Sequence, residues 1–207
     1  CNTTLFERAE LPVPSDKEPA NYDDVYAWAQ KLTKKEGDRT LVWGFCHGQD
    51  WLHHFWECWL ESVGKSFWSA DFTQFNLSNQ EESIECLKWE FDLVKEGLTQ
   101  SVIEPSPRNN VIQDFLAGQV GLIQYGLWFA ANVLGTMVTA GLDPAYKAIM
   151  IPAPIWKDGK EVDIDFAAMG CVTARETPHA DEAWEFNEWF HTQEPAIERA
   201  KLGWGIP

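Results

Sequence analysis

Apolar positions recur along this chain in two rhythms, one of helices and one of strands, and the two kinds of segment alternate. In NYDDVYAWAQKLTKKEG, residues Val25, Trp28, Ala29 and Leu32 fall on one stripe at helical spacing, with Asn21 placed as N-cap, acids in the first turn and Gly37 beyond the end. Thr40 to Phe45 (TLVWGF) is short, apolar and rich in strand formers, so it predicts a buried strand leaving into a loop over Cys46 to Asp50. Trp51 to Val63 then forms a helix with a dense aromatic face. Ser78 and Glu81 make an S-x-x-E capping box, followed by Ile84, Leu87, Phe91 and Val94 at helical spacing and by Gly97 as the stop. A connector, EPSPRNN, leads to a short helix from Val111 to Ala117 that ends at Gly118, and then to a strand from Val120 to Gln124. Lys147 to Ile151 predicts another short strand, broken by the prolines of PAPIW. Phe166 to Thr173 reads as a strand in which Gly170 permits close approach of a backbone or ligand. Thr177 and Pro178 supply an N-cap and N1 pair for a helix from Ala180 to Phe190, and Pro195 restarts a last short helix. Strands alternating with helices define an α/β protein.

One stretch tests that reading. From Phe115 to Leu142 no residue is charged, a length that would span a bilayer. Its interior argues against this, because Gly118, Gly121 and Gly126 punctuate it at strand and turn spacing, and Gln124 and Asn132 would need partners inside hydrocarbon. The pattern fits a helix end, a buried strand, a glycine turn and a helix opened by Trp128. That places a tryptophan just beyond the C-terminal end of a strand, where open α/β sheets bind their ligands.

Composition narrows the function. The net charge of −16 repels phosphate backbones and anionic lipid, so nucleic acid and membrane surfaces are poor partners. The one basic cluster, Lys31, Lys34, Lys35 and Arg39, falls at the end of a predicted helix, where cations complement the dipole. Five cysteines without a CxxC pair indicate neither a zinc ribbon nor a dense disulfide framework. The twelve tryptophans are the anomaly: most belong in the core, but indole faces also pack well on flat, C–H-rich surfaces such as sugar rings.

The loop HGQDW follows a buried strand and groups His47, Gln49, Asp50 and Trp51, planar donors and acceptors beside a stacking surface, which suits sugar hydroxyls. Asp50 serves equally as the N-cap of the helix that starts at Trp51. His47, Asp50, His53, His54 and Glu57 make a poor metal cluster, since adjacent histidines on a helix point about 100° apart. Asp50 and Glu57 are the only aromatic-rich carboxylate pair for a glycosidase, and the chain carries no G-x-S-x-G, P-loop, GxGxxG or HExxH. An interaction module without ligand chemistry is a further alternative.

Taken in order, NTTLFERAELPVP, NYDDVYAWAQKLT, the strand ending in GF, FNLSNQEESIECLKWEFDLVKEGL, FLAGQVGLIQYGLW, AMGCVTARETPHADEAWEFNEWF and LGWGIP resemble the extracellular solute-binding proteins of family 1, the maltose-binding type that serves carbohydrate ABC transporters. The resemblance covers nearly the whole chain. Glu10 and Gly121-Leu122 depart from the expected pattern away from the presumed site.

The resemblance implies a type II periplasmic-binding-protein-like fold, two α/β lobes joined by hinge strands and closing on a sugar. Residues 1–148 would be most of the second lobe, Ile149 to Pro154 a hinge crossing, and 155–207 a returning segment of the first lobe, with the family's opening βα unit and final helices missing. Trp128, in Tyr125-Gly126-Leu127-Trp128, takes the place of the family's sugar-stacking tryptophan. Gln49, Asp50, Trp51 and His47 would add contacts from HGQDW, Met169 and Gly170 from the returning lobe, and Trp204 from the glycine-flanked tail. Trp56, Trp59, Trp89, Trp184 and Trp189 are assigned to the core or to lobe contacts, and Trp68 lies in a loop. The expected partners are a neutral saccharide and the membrane permease subunits of an ABC transporter. The protein would act as a monomer in the periplasm or outside the cell, with any lipid anchor in a part of the chain not present here. It would use no cofactor and no metal, and bind no nucleic acid.

Overall fold

The computed structural model describes residues 1–47, 52–77, 80–100, 111–126, 147–157, 159–160 and 171–201, with the backbone alone at 52–55. These form two compact units, one of Cys1–Tyr125 with Gly141–Asp165 and one of Gly126–Ala140 with Phe166–Pro207.

In the first unit a short helix, α1 (Thr3–Arg8), precedes α2 (Tyr22–Leu32). Asn21 caps α2 as its sequence predicts: its Oδ1 accepts from the Asp24 N–H at 2.8 Å, and the Asp24 carboxylate accepts from the Asn21 N–H at 3.5 Å. The helix ends at Leu32, where Thr33 turns its hydroxyl onto the Ala29 carbonyl at 2.7 Å and accepts from the Gly44 N–H at 3.1 Å. The chain therefore leaves as a strand, β1 (Lys34–Glu36), which turns through Gly37 into β2 (Arg39–His47). This corrects the expectation that Lys34 and Lys35 close a helix; they lie on an exposed strand, and Lys35 Nζ donates to the Glu96 carbonyl at 2.8 Å.

The sheet has the order β1-β2-β3, with β1 antiparallel to β2 and β2 parallel to β3 (Val120–Gln124). Trp43 pairs with Val120, Phe45 with Leu122 and His47 with Gln124. Burial rises along β2 until Gly44 to His47 are enclosed. Helix α2 crosses the sheet where side chains are absent: a Cβ on Gly44 would collide with the Ala29 backbone, and one on Gly121 would lie 2.8 Å from Leu32 Cδ1 and 2.9 Å from the Gly44 carbonyl oxygen. Glycine is required at both positions by proximity. Leu32 thus sits at Gly121 while Tyr22 reaches Gln124, so α2 runs antiparallel to β3.

Helices α3 (Leu52–Ser62) and α4 (Glu81–Glu96) pack together. Two expectations for α4 need correction. Its N-cap is Gln80, not Ser78, and the Gln80 amide donates to the Ser66 and Asn76 carbonyls instead of capping the helix. The helical period holds but its phase is shifted: Ser83, Cys86, Trp89 and Leu93 are buried, whereas Ile84 and Phe91 are more than half exposed. Ser83 and Cys86 are small, so the buried face lets α4 approach closely while Trp89 fills the remaining depth. Gly97 ends the helix in the left-handed region at φ 66°, as its position suggests. The helix α5 (Val111–Leu116) also ends as expected, through Gly118 at φ 73°, and feeds β3.

An aromatic cluster holds this unit together. Trp59 stacks on Trp156 at 3.8 Å and on Tyr22 at 4.2 Å, Trp89 meets Tyr22 edge-on at 5.1 Å, and its indole N–H donates to the Tyr22 carbonyl at 3.3 Å. Each such pair adds about 1 kcal/mol beyond area burial. Trp59 and Trp89 are core residues as expected. Residues 147–151 do not form the strand their sequence predicts: they make a single antiparallel bridge, Ala148 to Asn2, flanked by hydrogen bonds of Cys1 with Ile149 and of Thr3 with Lys147, before Pro152 and Pro154 remove further donors.

In the second unit, α6 (Ala180–Phe190) has His179 at its N-cap. The Thr177-Pro178 pair lies two residues too early for the role assigned to it, and the Thr177 hydroxyl accepts from the His179 N–H at 3.2 Å. In α7 (Gln193–Lys201), Arg199 lies over the Phe190 ring at 4.1 Å and donates to the Phe190 carbonyl at 2.9 Å. Trp184 and Trp189 face outward, 61% and 53% exposed, so neither is a core residue here. Of the strand expected over 166–173, the described part, Cys171 to Thr173, joins no strand.

Candidate functional site

Parallel strands end together, and a ligand approaching an open α/β sheet meets their carboxyl ends. Here β2 ends at His47 and β3 at Gln124, directly opposed in register. His47 is therefore the last residue of the strand and not part of the loop in which the sequence places it. The reason is that β3 supplies pairing as far as Gln124, which no local pattern around residue 46 encodes.

His47 is buried, and its Nε2 bonds Glu90 Oε1 from α4, a carboxylate whose side chain is only 12% exposed. Phe45 meets the imidazole edge-on at 4.6 Å and Trp89 lies 6.5 Å from it. Beside this pair the Gln124 side chain faces the Tyr22 hydroxyl. Burial pushes the Tyr22 phenol well above its ordinary range, so it stays a neutral hydroxyl. The Gln124 Oε1 and Tyr22 hydroxyl atoms are enclosed, and neither makes a hydrogen bond of normal geometry. Tyr125 and Gly126 continue the chain from Gln124.

The strand ends are held from below. The Leu98 carbonyl accepts from the N–H groups of Gly44 at 3.1 Å and Phe45 at 3.3 Å, and Gln100 donates to Asp114 at 2.5 Å. Cys46 lies within this support, and burial pushes its thiol up to about 12 against bonds from Gln100 and Thr99 that act the other way. It is an inert packing residue at neutral pH.

Of the residues singled out from sequence, His47 ends β2, Tyr125 follows β3, and Gly126 is the next residue along the chain. Gln49, Asp50, Trp51, Trp128, Met169, Gly170 and Trp204 lie outside the described residues. Asp50 is also one half of the aromatic-rich carboxylate pair considered for hydrolysis, and its partner Glu57 is half-buried on α3. Among the described residues, no group of three or more His, Cys, Asp or Glu is placed to hold a metal ion. No described helix is long and apolar enough to cross a membrane. Sequence reasoning missed Glu90 and Tyr22, and noted Gln124 only as a polar group unsuited to lipid. A polar residue closing an otherwise apolar strand was the available signal for Gln124. Glu90 has no comparable local signal.

Groups of this kind, an imidazole, a primary amide and phenols among aromatic rings, are suited to an uncharged ligand rich in hydroxyls. A substrate-binding protein of an ABC transporter from Listeria monocytogenes, solved with cycloalternan, superposes with a TM-score of 0.71 at 19% identity, covering 100% of this chain and 48% of that one. A solute-binding protein from Thermotoga lettingae bound to α-D-tagatose gives 0.69 at 16% identity, over 100% of this chain and 50% of its own. One from Agrobacterium vitis with bound D-mannitol gives 0.64 at 16%, over 97% and 46%. The chain spans about half the length of these structures. No curated protein matches it. The family model described as bacterial extracellular solute-binding protein matches residues 1–196, and the chain belongs to that family.

Proposed function

We propose that the protein captures a sugar or oligosaccharide outside the cytoplasm, in the periplasm or at the cell exterior, and delivers it to the membrane permease subunits of an ABC transporter. The observation that carries this is the convergence of His47, Gln124 and Tyr125 at the carboxyl ends of two parallel strands in a chain of the solute-binding family. Trp128, three residues beyond Tyr125, supplies the stacking face, and Gln49, Asp50 and Trp51 continue from His47 into the same region. Met169, Gly170 and Trp204 belong to the opposing wall. In this reading residues 1–148 form most of one lobe, 149–154 cross the hinge, and 155–207 return to the other. Ligand favours closure because it touches both walls, and no bond is made or broken.

The test uses the full-length protein, titrated with a panel of neutral oligosaccharides by calorimetry while the sugars are assayed for new reducing ends. Binding without products is expected, and Trp128→Ala costs about 2 kcal/mol or more of affinity. New reducing ends would replace transport with hydrolysis. Absence of heat with every sugar would remove the reading altogether.

A further inference from the structure

The hydrogen-bonded pair of His47 and Glu90 at the end of β2 is an uneconomical way to fill space. The His47 and Glu90 side chains are 2% and 12% exposed, with Phe45 and Trp89 close by. Desolvating two ionisable groups offsets most of what their attraction returns, and an apolar pair of the same volume would serve the core at least as well. What an apolar pair lacks is direction. An ionised Glu90 has no proton to give, so Nε2 of His47 must carry the hydrogen in their bond, and a neutral ring then has Nδ1 as its acceptor nitrogen. The bond also stops rotation of the ring about χ2. Glu90 comes from α4, whose neighbour Trp89 is fixed by its bond to the Tyr22 carbonyl, so the carboxylate is itself held in place.

His47 is a junction. It is the last β2 residue paired to β3, it stands opposite Gln124, and the chain passes from it directly into residues 48–51.

We propose that Glu90 is a positioning residue of the saccharide site: by bonding His47 Nε2 it holds the imidazole in one ring orientation and one tautomer at the end of β2. This rests on the reading that a carbohydrate binds at the carboxyl ends of β2 and β3. Glu90 does not touch the ligand; it acts through His47.

Two measurements on the full-length protein test this. The first needs no sugar: long-range proton–nitrogen correlation spectra of the ligand-free protein, with the His47 signals assigned by their loss in His47→Gln, report which ring nitrogen is protonated. The Nε2–H pattern is expected in wild type and a mixture of tautomers in Glu90→Leu. The second is affinity for whichever neutral oligosaccharide of the panel binds wild type. Glu90→Leu is expected to weaken binding by about tenfold, while Glu90→Gln, which keeps an acceptor in the same place, stays within about threefold. An Nδ1–H tautomer in wild type, an affinity of Glu90→Leu equal to wild type, or a Gln variant as weak as the Leu variant would each overturn the proposal. If Glu90→Leu does not fold, the wild-type tautomer and the Gln variant decide. If wild type binds no sugar, the transport reading fails while the tautomer pattern still judges the His47–Glu90 brace.

Discussion

Gly44 of β2 and Ala29 of α2 meet backbone to backbone: a Cβ at position 44 would fall within the Ala29 carbonyl group. Neither partner has a flexible side chain that could move aside, so relief requires sliding a whole helix off the sheet that carries the candidate site. Gly44→Ala is therefore expected to cost about 3 kcal/mol, read as a lower urea midpoint at unchanged slope. A shift below about 0.5 kcal/mol would mean that α2 does not pack as described.

Phe72 carries the opposite kind of strain. It sits at φ 56°, in the left-handed region, at the turn between Trp68 and Phe75, and is 76% exposed. Asp71 anchors this turn by accepting from the Ser69 hydroxyl at 2.6 Å and the Thr73 hydroxyl at 2.8 Å. The ring gains little from burial, whereas the backbone conformation favours glycine. Phe72→Gly should raise stability by about 1 kcal/mol and Phe72→Val should lower it, both by thermal unfolding. Destabilisation by glycine would show that the ring is held by contacts absent here.

Glu96 ties α4 to α2. Its carboxylate accepts from the Tyr26 hydroxyl at 2.8 Å and the Gln30 amide at 3.0 Å, and these bonds, Gln30 first, hold it below its ordinary value of 4.5. A carboxyl depressed on folding binds more protons unfolded than folded, so its contribution is complete above that ordinary value and disappears as pH falls through the folded one. The stability difference between wild type and Glu96→Gln should then shrink on acidification from about pH 6 to about pH 3. A difference independent of pH would refute the assignment.

Thiol reactivity should divide along burial. Cys171 is exposed, whereas Cys46 and Cys86 are enclosed and burial drives both thiols upward, Cys46 to about 12. At about pH 8 a disulfide reagent should label Cys171 within the folded protein and reach Cys46 and Cys86 only on unfolding. Mass mapping of the labelled peptides checks this; early labelling of Cys46 would mean that the support beneath β2 opens readily.

The local features that sequence specified are those that need only neighbours along the chain. Asn21 and Asp24 cap α2 because their atoms are three residues apart, and Gly97 and Gly118 end helices because only glycine reaches the left-handed region without cost. The buried strand after α2 and the one before Tyr125 were legible for the same reason. Where a helix had two apolar stripes to offer, as in α4, pattern alone chose the wrong one, since the choice depends on how close the neighbouring surface comes.

By itself, then, the sequence determined the family, most of the helices, the strands at the centre of the sheet, the cap at Asn21 and the stops at Gly97 and Gly118. Tertiary structure decided that β2 runs on to His47, that Gln124 stands beside it, and that Glu90, forty-three residues further on, grips its ring. The reason is that these relations are set by which strand lies alongside and which helix face packs down, and such long-range contacts leave no period in the chain that makes them.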